Sequence, residues 1–142
     1  MSQYGYSDTA TASRASVGVG VLVLDDAGLL LLRHDGQRDR CHRLPGGPQP
    51  TGDTLSESAV RAVEEQTGVR VEITGLIGVY SDDSQPWSTE LAVCFRGRPV
   101  GGRLRTDRAR WVEPERPAEL ALPAGSRAVV EHCVDESEPY FT

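Results

Sequence analysis

Val17, Val19, Val21 and Val23 alternate with Gly18, Gly20, Leu22 and Leu24, so neither side of this stretch offers polar groups to water. That pattern predicts a strand buried on both faces. Asp25-Asp26-Ala27-Gly28 reads as a hairpin turn, and Leu29 to Arg33 as the returning strand. Residues 34–43 are charged and lack hydrophobic spacing, which predicts a loop. Leu44-Pro45-Gly46-Gly47-Pro48 follows as a rigid segment whose glycines permit positive φ or close approach by another group. Thr54-Leu55-Ser56-Glu57 has the form of a capping box, with Asp53 competing for the cap, and opens a helix running to about Thr67, where Gly68 stops it.

Val69 to Tyr80 and Glu90 to Arg96 read as strands, with residues 81–88 as an acidic loop between them. Gly101-Gly102 predicts a turn, Ala109 to Val112 a short strand, and Ser126 to Val134 a second helix. Strands alternating with two helices place the chain in the α/β or α+β class. Residues 1–14 are polar, rich in Ser and Thr and without periodicity, which predicts a disordered arm or one ordered by a partner; residues 15–142 read as one domain. At 142 residues such a chain hides roughly 68–70% of its unfolded surface, enough for a core without disulfide or metal staples.

With 21 acidic against 15 basic residues the net charge is −6, and the sequence pI is near 5.0. This argues against a protein that grips nucleic acid through a basic face, but leaves room for a small phosphorylated ligand. Every basic residue is Arg, which we read as codon bias in a GC-rich genome. No apolar run is long enough to span a bilayer, and the N-terminus has no leader pattern, so a cytoplasmic protein is expected. Cys41, Cys94 and Cys133 lack C-x-x-C spacing; Cys94 reads as a core strand residue and Cys133 as helical. His34, His42 and His132 lack ligand spacing, so no zinc site is expected.

One segment carries chemistry. Gly47, five residues, Asp53, seven residues, then Arg61-Ala62-Val63-Glu64-Glu65-Gln66-Thr67-Gly68-Val69 resembles the Nudix box, and the likeness extends over roughly residues 16–140. The resemblance implies an α/β/α sandwich with a mixed sheet, and hydrolysis of phosphoanhydrides in nucleoside diphosphate-linked compounds. It further implies Mg2+ or Mn2+ held by three glutamates at positions 62, 65 and 66 and by the Gly47 carbonyl. Here those positions are Ala62, Glu65 and Gln66, leaving Gly47, Glu65 and Gln66 as a weak ligand set. Mg2+ takes oxygen ligands and is held largely by charge, so affinity well below the family norm, or no metal at all, is expected.

By the same resemblance Glu65, Arg61 and Asp53 are the catalytic candidates. Asp53 is one methylene shorter than the family Glu and could equally be a helix-terminus residue, and Arg61 and Glu65 could equally be a solvated i, i+4 pair. Where the family often carries a general-base Glu, residues 106–111 offer only Asp107. Candidate substrate contacts are Tyr80 and Trp87 for stacking, and Arg33, Arg43 and Arg96 for phosphates. Trp111 reads as core.

Three functions compete: a hydrolase with weak turnover, a non-hydrolytic module binding a nucleotide or small metabolite, and an enzyme repurposed to metal-independent chemistry. The expected partner is a nucleotide or phosphorylated small molecule, with no nucleic acid and no membrane. Homodimer formation stays open.

Overall fold

The computed structural model describes residues 16–26, 28–33, 42–81, 89–113, 124–135 and 138–141. The N-terminal arm, residues 34–41 with Cys41, and residues 82–88 with Trp87 lie outside that set. The central strand β1 (Val17–Asp25) is buried over six consecutive residues, Gly18 to Val23. Because side chains alternate across a strand, it feeds two cores. Val19, Val21 and Val23 pack with Ala59 and Val63 of helix α1 (Leu55–Thr67). Leu22 packs with Tyr80, Cys94 and with Val129, Val130 and Cys133 of helix α2 (Ala124–Asp135). The sheet therefore lies between the two helices, as the α/β/α expectation required.

Around β1 run β2 (Gly28–Arg33), β3 (His42–Arg43), β4 (Gly46–Pro48), β5 (Val69–Tyr80), β6 (Leu91–Gly102), β7 (Ala109–Val112) and β8 (Tyr140–Phe141). The order is β3-β2-β1-β6-β5-β8, with β4 pairing β1 and β7 pairing β2. The sheet is mixed: β1 with β6 and β5 with β8 are parallel, the other pairs antiparallel. Among the described residues no helix is long and apolar enough to cross a membrane.

The hairpin after β1 forms as the sequence suggests, pairing Leu24 with Leu29 and Asp25 with Gly28. At Gly28 φ is 122°, and a Cβ there would lie 2.3 Å from the Val112 carbonyl oxygen, so only glycine fits. Thr54, and not Asp53, caps α1: its hydroxyl accepts from the Glu57 amide at 3.1 Å, and the Glu57 carboxylate accepts from the Thr54 amide at 2.9 Å. The helix ends at Gly68, whose φ of 81° is left-handed.

Three expectations need correction. His42 and Arg43 do not belong to a loop; they form β3, because β2 supplies the hydrogen-bond partners that no local periodicity announced. Gly101 and Gly102 are not a turn but the end of β6, paired with Arg70 and Val69; β5 starts directly after α1, so its partner must extend that far. The chain instead turns at residues 106–108, where the Arg108 amide donates to the Arg105 carbonyl. Gly46 and Gly47 lie in β4 without positive φ, and a Cβ at Gly47 would meet only Gln66 Nε2 at 3.9 Å, an ordinary contact, so neither a left-handed backbone nor a close approach calls for glycine at Gly47.

Candidate functional site

Strand β4 runs antiparallel to β1 with Val19 opposite Gly47, the Val21 amide donating to Pro45 O and the Gln49 amide to Val17 O. In such a ladder successive residues present their peptide groups to alternate sides. Pro45, Gly47 and Gln49 thus face β1, while Gly46 turns its N–H and C=O away, toward α1. There the Gln66 carboxamide meets both: Gly46 N donates to Oε1 at 3.0 Å, and Nε2 donates to Gly46 O at 2.8 Å. The amide is complementary to the peptide it pairs with, a donor and an acceptor on each side. The carbonyl facing the motif helix is therefore that of Gly46, while the Gly47 carbonyl singled out from the sequence faces the β1 ladder.

Beside this lock lies a cleft of about 230 Å³ lined by Leu32, Arg33, Arg43, Gln66 and Arg108. The sheet assembles it. Arg33 and Arg43 sit at adjoining ends of β2 and β3, where Arg33 pairs with His42 and Leu32 with Arg43. Arg108 enters from the turn before β7, held by the Arg33 amide donating to its carbonyl at 2.7 Å. The Arg33 guanidinium also donates to Thr106 O at 3.1 Å. Among the described residues none of the three arginines pairs with a carboxylate. In a chain of net charge −6 the cleft is thus locally cationic, with guanidinium forks suited to phosphate oxygens. Arg108 escaped the sequence reading because only folding brings it to Arg33 and Arg43.

The other motif residues lie away from this cleft. Arg61 donates to Asp53 at 2.5 Å instead of pairing with Glu65, so it closes the helix start and not the middle of the helix. Glu64 meets Arg70 at 3.8 Å in an exposed pair. Glu65 is exposed and has no ion-pair or hydrogen-bond partner among the described residues. An open groove along α1 is lined by Asp53, Ser56, Glu57, Val60, Arg61, Glu64 and Ile73. The Thr54 backbone amide, with its hydroxyl, holds the Glu57 carboxyl below its ordinary range.

Does this donor set suit Mg2+ or Mn2+? Such ions want several hard, preferably anionic oxygens converging in one shell. Ala62 offers none, the Gln66 oxygen is engaged by the Gly46 amide and its nitrogen by the Gly46 carbonyl, and Glu65 alone is left. Among the described residues no three His, Cys, Asp or Glu side chains converge. The residues present do not fit the ion.

Two further candidates lie on the opposite face of the sheet. Tyr80 is buried, its hydroxyl 2.7 Å from His132 Nδ1, and its ring stacks near Tyr140 at 5.4 Å between centroids. Arg96 reaches α2, donating to Cys133 Sγ at 3.4 Å and Cys133 O at 3.5 Å. Both therefore sit apart from the arginine cleft. Cys94 is fully buried, which pushes its thiol up to about 12. Trp111 is only partly buried, packed against the α1-side core.

Compared with known proteins, residues 14–133 match a family model described as NUDIX domain. The ADP-ribose pyrophosphatase of Methanocaldococcus jannaschii is 33% identical over 87 residues, 61% of this chain and 52% of that protein. A MutT-like protein of Streptomyces ambofaciens is 34% identical over 104 residues, 70% of this chain and 64% of that protein. The chain thus spans less than two thirds of the length of either relative. The crystal structure of a UDP-X diphosphatase superposes with a TM-score of 0.73 at 17% identity, covering 95% of this chain and 70% of that one, a likeness of fold.

Proposed function

This chain belongs to the NUDIX domain family, and from that premise we propose that it binds a nucleoside diphosphate-linked compound by its phosphates, with phosphoanhydride hydrolysis strongly reduced. The observation that carries the reading is the pairing of a three-arginine cleft with a motif helix that has a carboxylate at only one of positions 62, 65 and 66. Arg33, Arg43 and Arg108 hold and orient the phosphate oxygens through charge-assisted hydrogen bonds. Glu65, exposed on the motif helix, is the carboxylate left to take a proton from an attacking water, and it supports slow residual cleavage. Arg61 and Asp53 act together as a brace at the start of α1. A pair of opposite unit charges 4 Å apart is worth about 4 kcal/mol at an effective dielectric of about 20, so two absent anions remove most of the grip on a divalent ion.

ADP-ribose is the first ligand to try, since a relative's name specifies it. Calorimetry should show binding by the wild type, weakened about 10- to 100-fold by R33A, R43A or R108A, the worth of a charge-assisted hydrogen bond. Binding heats absent for the wild type, or unchanged in all three variants, would overturn the assignment of the cleft.

A further inference from the structure

Within the binding reading above, on which this step rests, we infer that Gln66 replaces a divalent cation as the cross-link between α1 and β4, so that the arginine cleft takes a pyrophosphate group free of metal. Three observations lead there. The Gln66 amide clamps the Gly46 peptide group of β4, joining two residues 20 apart in sequence. The same side chain lines the cleft beside Arg33, Arg43 and Arg108, and it does so without charge. Ala62, one turn earlier on the helix, is neutral as well.

A carboxylate at 66 would repel both the Gly46 carbonyl oxygen and an entering phosphate, and would need a cation to reconcile them. The amide needs none. The positive charge that a metal would bring is already present as three guanidiniums, carried on backbone that the β2–β3 pairing and the Arg33 amide bond to Arg108 O bring together, with the Arg33 guanidinium itself tethered to Thr106 O. A Mg2+-complexed pyrophosphate carries less negative charge and brings a cation toward those arginines, so it suits the cleft less well than the bare anion. Gln66 is in this sense a positioning residue: it sets the charge and shape of the cleft through Gly46.

The test is calorimetric titration of the full chain with inorganic pyrophosphate and with ADP-ribose, in EDTA and then in excess MgCl2. The wild type should bind at least as tightly in EDTA as in MgCl2. Q66E should bind about tenfold more weakly in EDTA and regain affinity when MgCl2 is added, a metal dependence that mere loosening of the fold would not create. Q66L, neutral but unable to clamp Gly46, should stay metal-independent, which keeps the test decisive should Q66E fold poorly. R98A, whose guanidinium pairs with Glu72 on the outer sheet surface, should leave affinity unchanged. Wild-type binding that requires MgCl2 overturns this inference alone. Absence of binding in both conditions overturns it together with the binding reading.

Discussion

Replacing Gln66 by Glu deletes one donor from a site built for a donor and an acceptor. The Nε2–H bond to Gly46 O at 2.8 Å is lost, and an anionic oxygen takes its place against the carbonyl; the Gly46 N–H bond to the other oxygen survives. A half-buried neutral hydrogen bond contributes about 0.5–1.5 kcal/mol, and leaving its acceptor unsatisfied costs about 1–3 kcal/mol, so the loss at neutral pH should be about 1–3 kcal/mol. At roughly 3–4 °C per kcal/mol for a chain of this size, Tm should fall by about 3–12 °C in EDTA. The loss should also titrate. In Q66E a protonated carboxyl can donate to Gly46 O and accept from Gly46 N, as the amide does, so folding favours its neutral form and raises its pKa above the unfolded value of about 4.3. The stability that the neutral acid restores is complete below that unfolded value and disappears as pH rises through the folded one. Differential scanning calorimetry of wild type and Q66E from pH 4 to 7 should therefore show a gap that is small in acid and fully open at neutrality. Equal Tm values at pH 7, or a gap that does not change with pH, would refute the bidentate arrangement.

Other elements make their own predictions. G68A forces a Cβ into a left-handed residue and within 2.1 Å of Arg103 O; the backbone alone costs about 1–2 kcal/mol, so urea denaturation should show a loss at or above that range. T54A removes the α1 cap and should cost about 1 kcal/mol in the same assay. The lowered Glu57 pKa means its contribution is present above the ordinary carboxylate value near 4.5 and lost as pH falls through the folded value, so E57Q should flatten that acid limb of the stability profile. Cys94, with its thiol pushed up to about 12, should resist an aromatic disulfide reagent at pH 8 in the native protein and react once urea unfolds it.

What the sequence disclosed tracks how local each signal is. The α1 limits were readable because the capping box and Gly68 act within one turn of themselves, and β1 because a run without polar positions has only one stable place in a sheet. His42 and Arg43 were opaque: their strand character comes wholly from β2. Composition at position 66 announced a missing carboxylate but could not show what the amide does instead, since Gly46 becomes its partner only when β4 docks on β1. Arg33 and Arg43 were chosen for residue type alone, and folding brings them together with Arg108. The same reasoning by type chose Tyr80 and Arg96, whose side chains folding commits to α2, through His132 and Cys133.

Steady-state hydrolysis of ADP-ribose, compared between wild type and A62E/Q66E with MgCl2 and with EDTA, addresses the electrostatic claim most directly. Slow wild-type cleavage, raised about tenfold or more by the two added carboxylates and only in the presence of metal, is the result expected from a helix with a carboxylate at only one of positions 62, 65 and 66. Rapid wild-type turnover that chelation abolishes would contradict it.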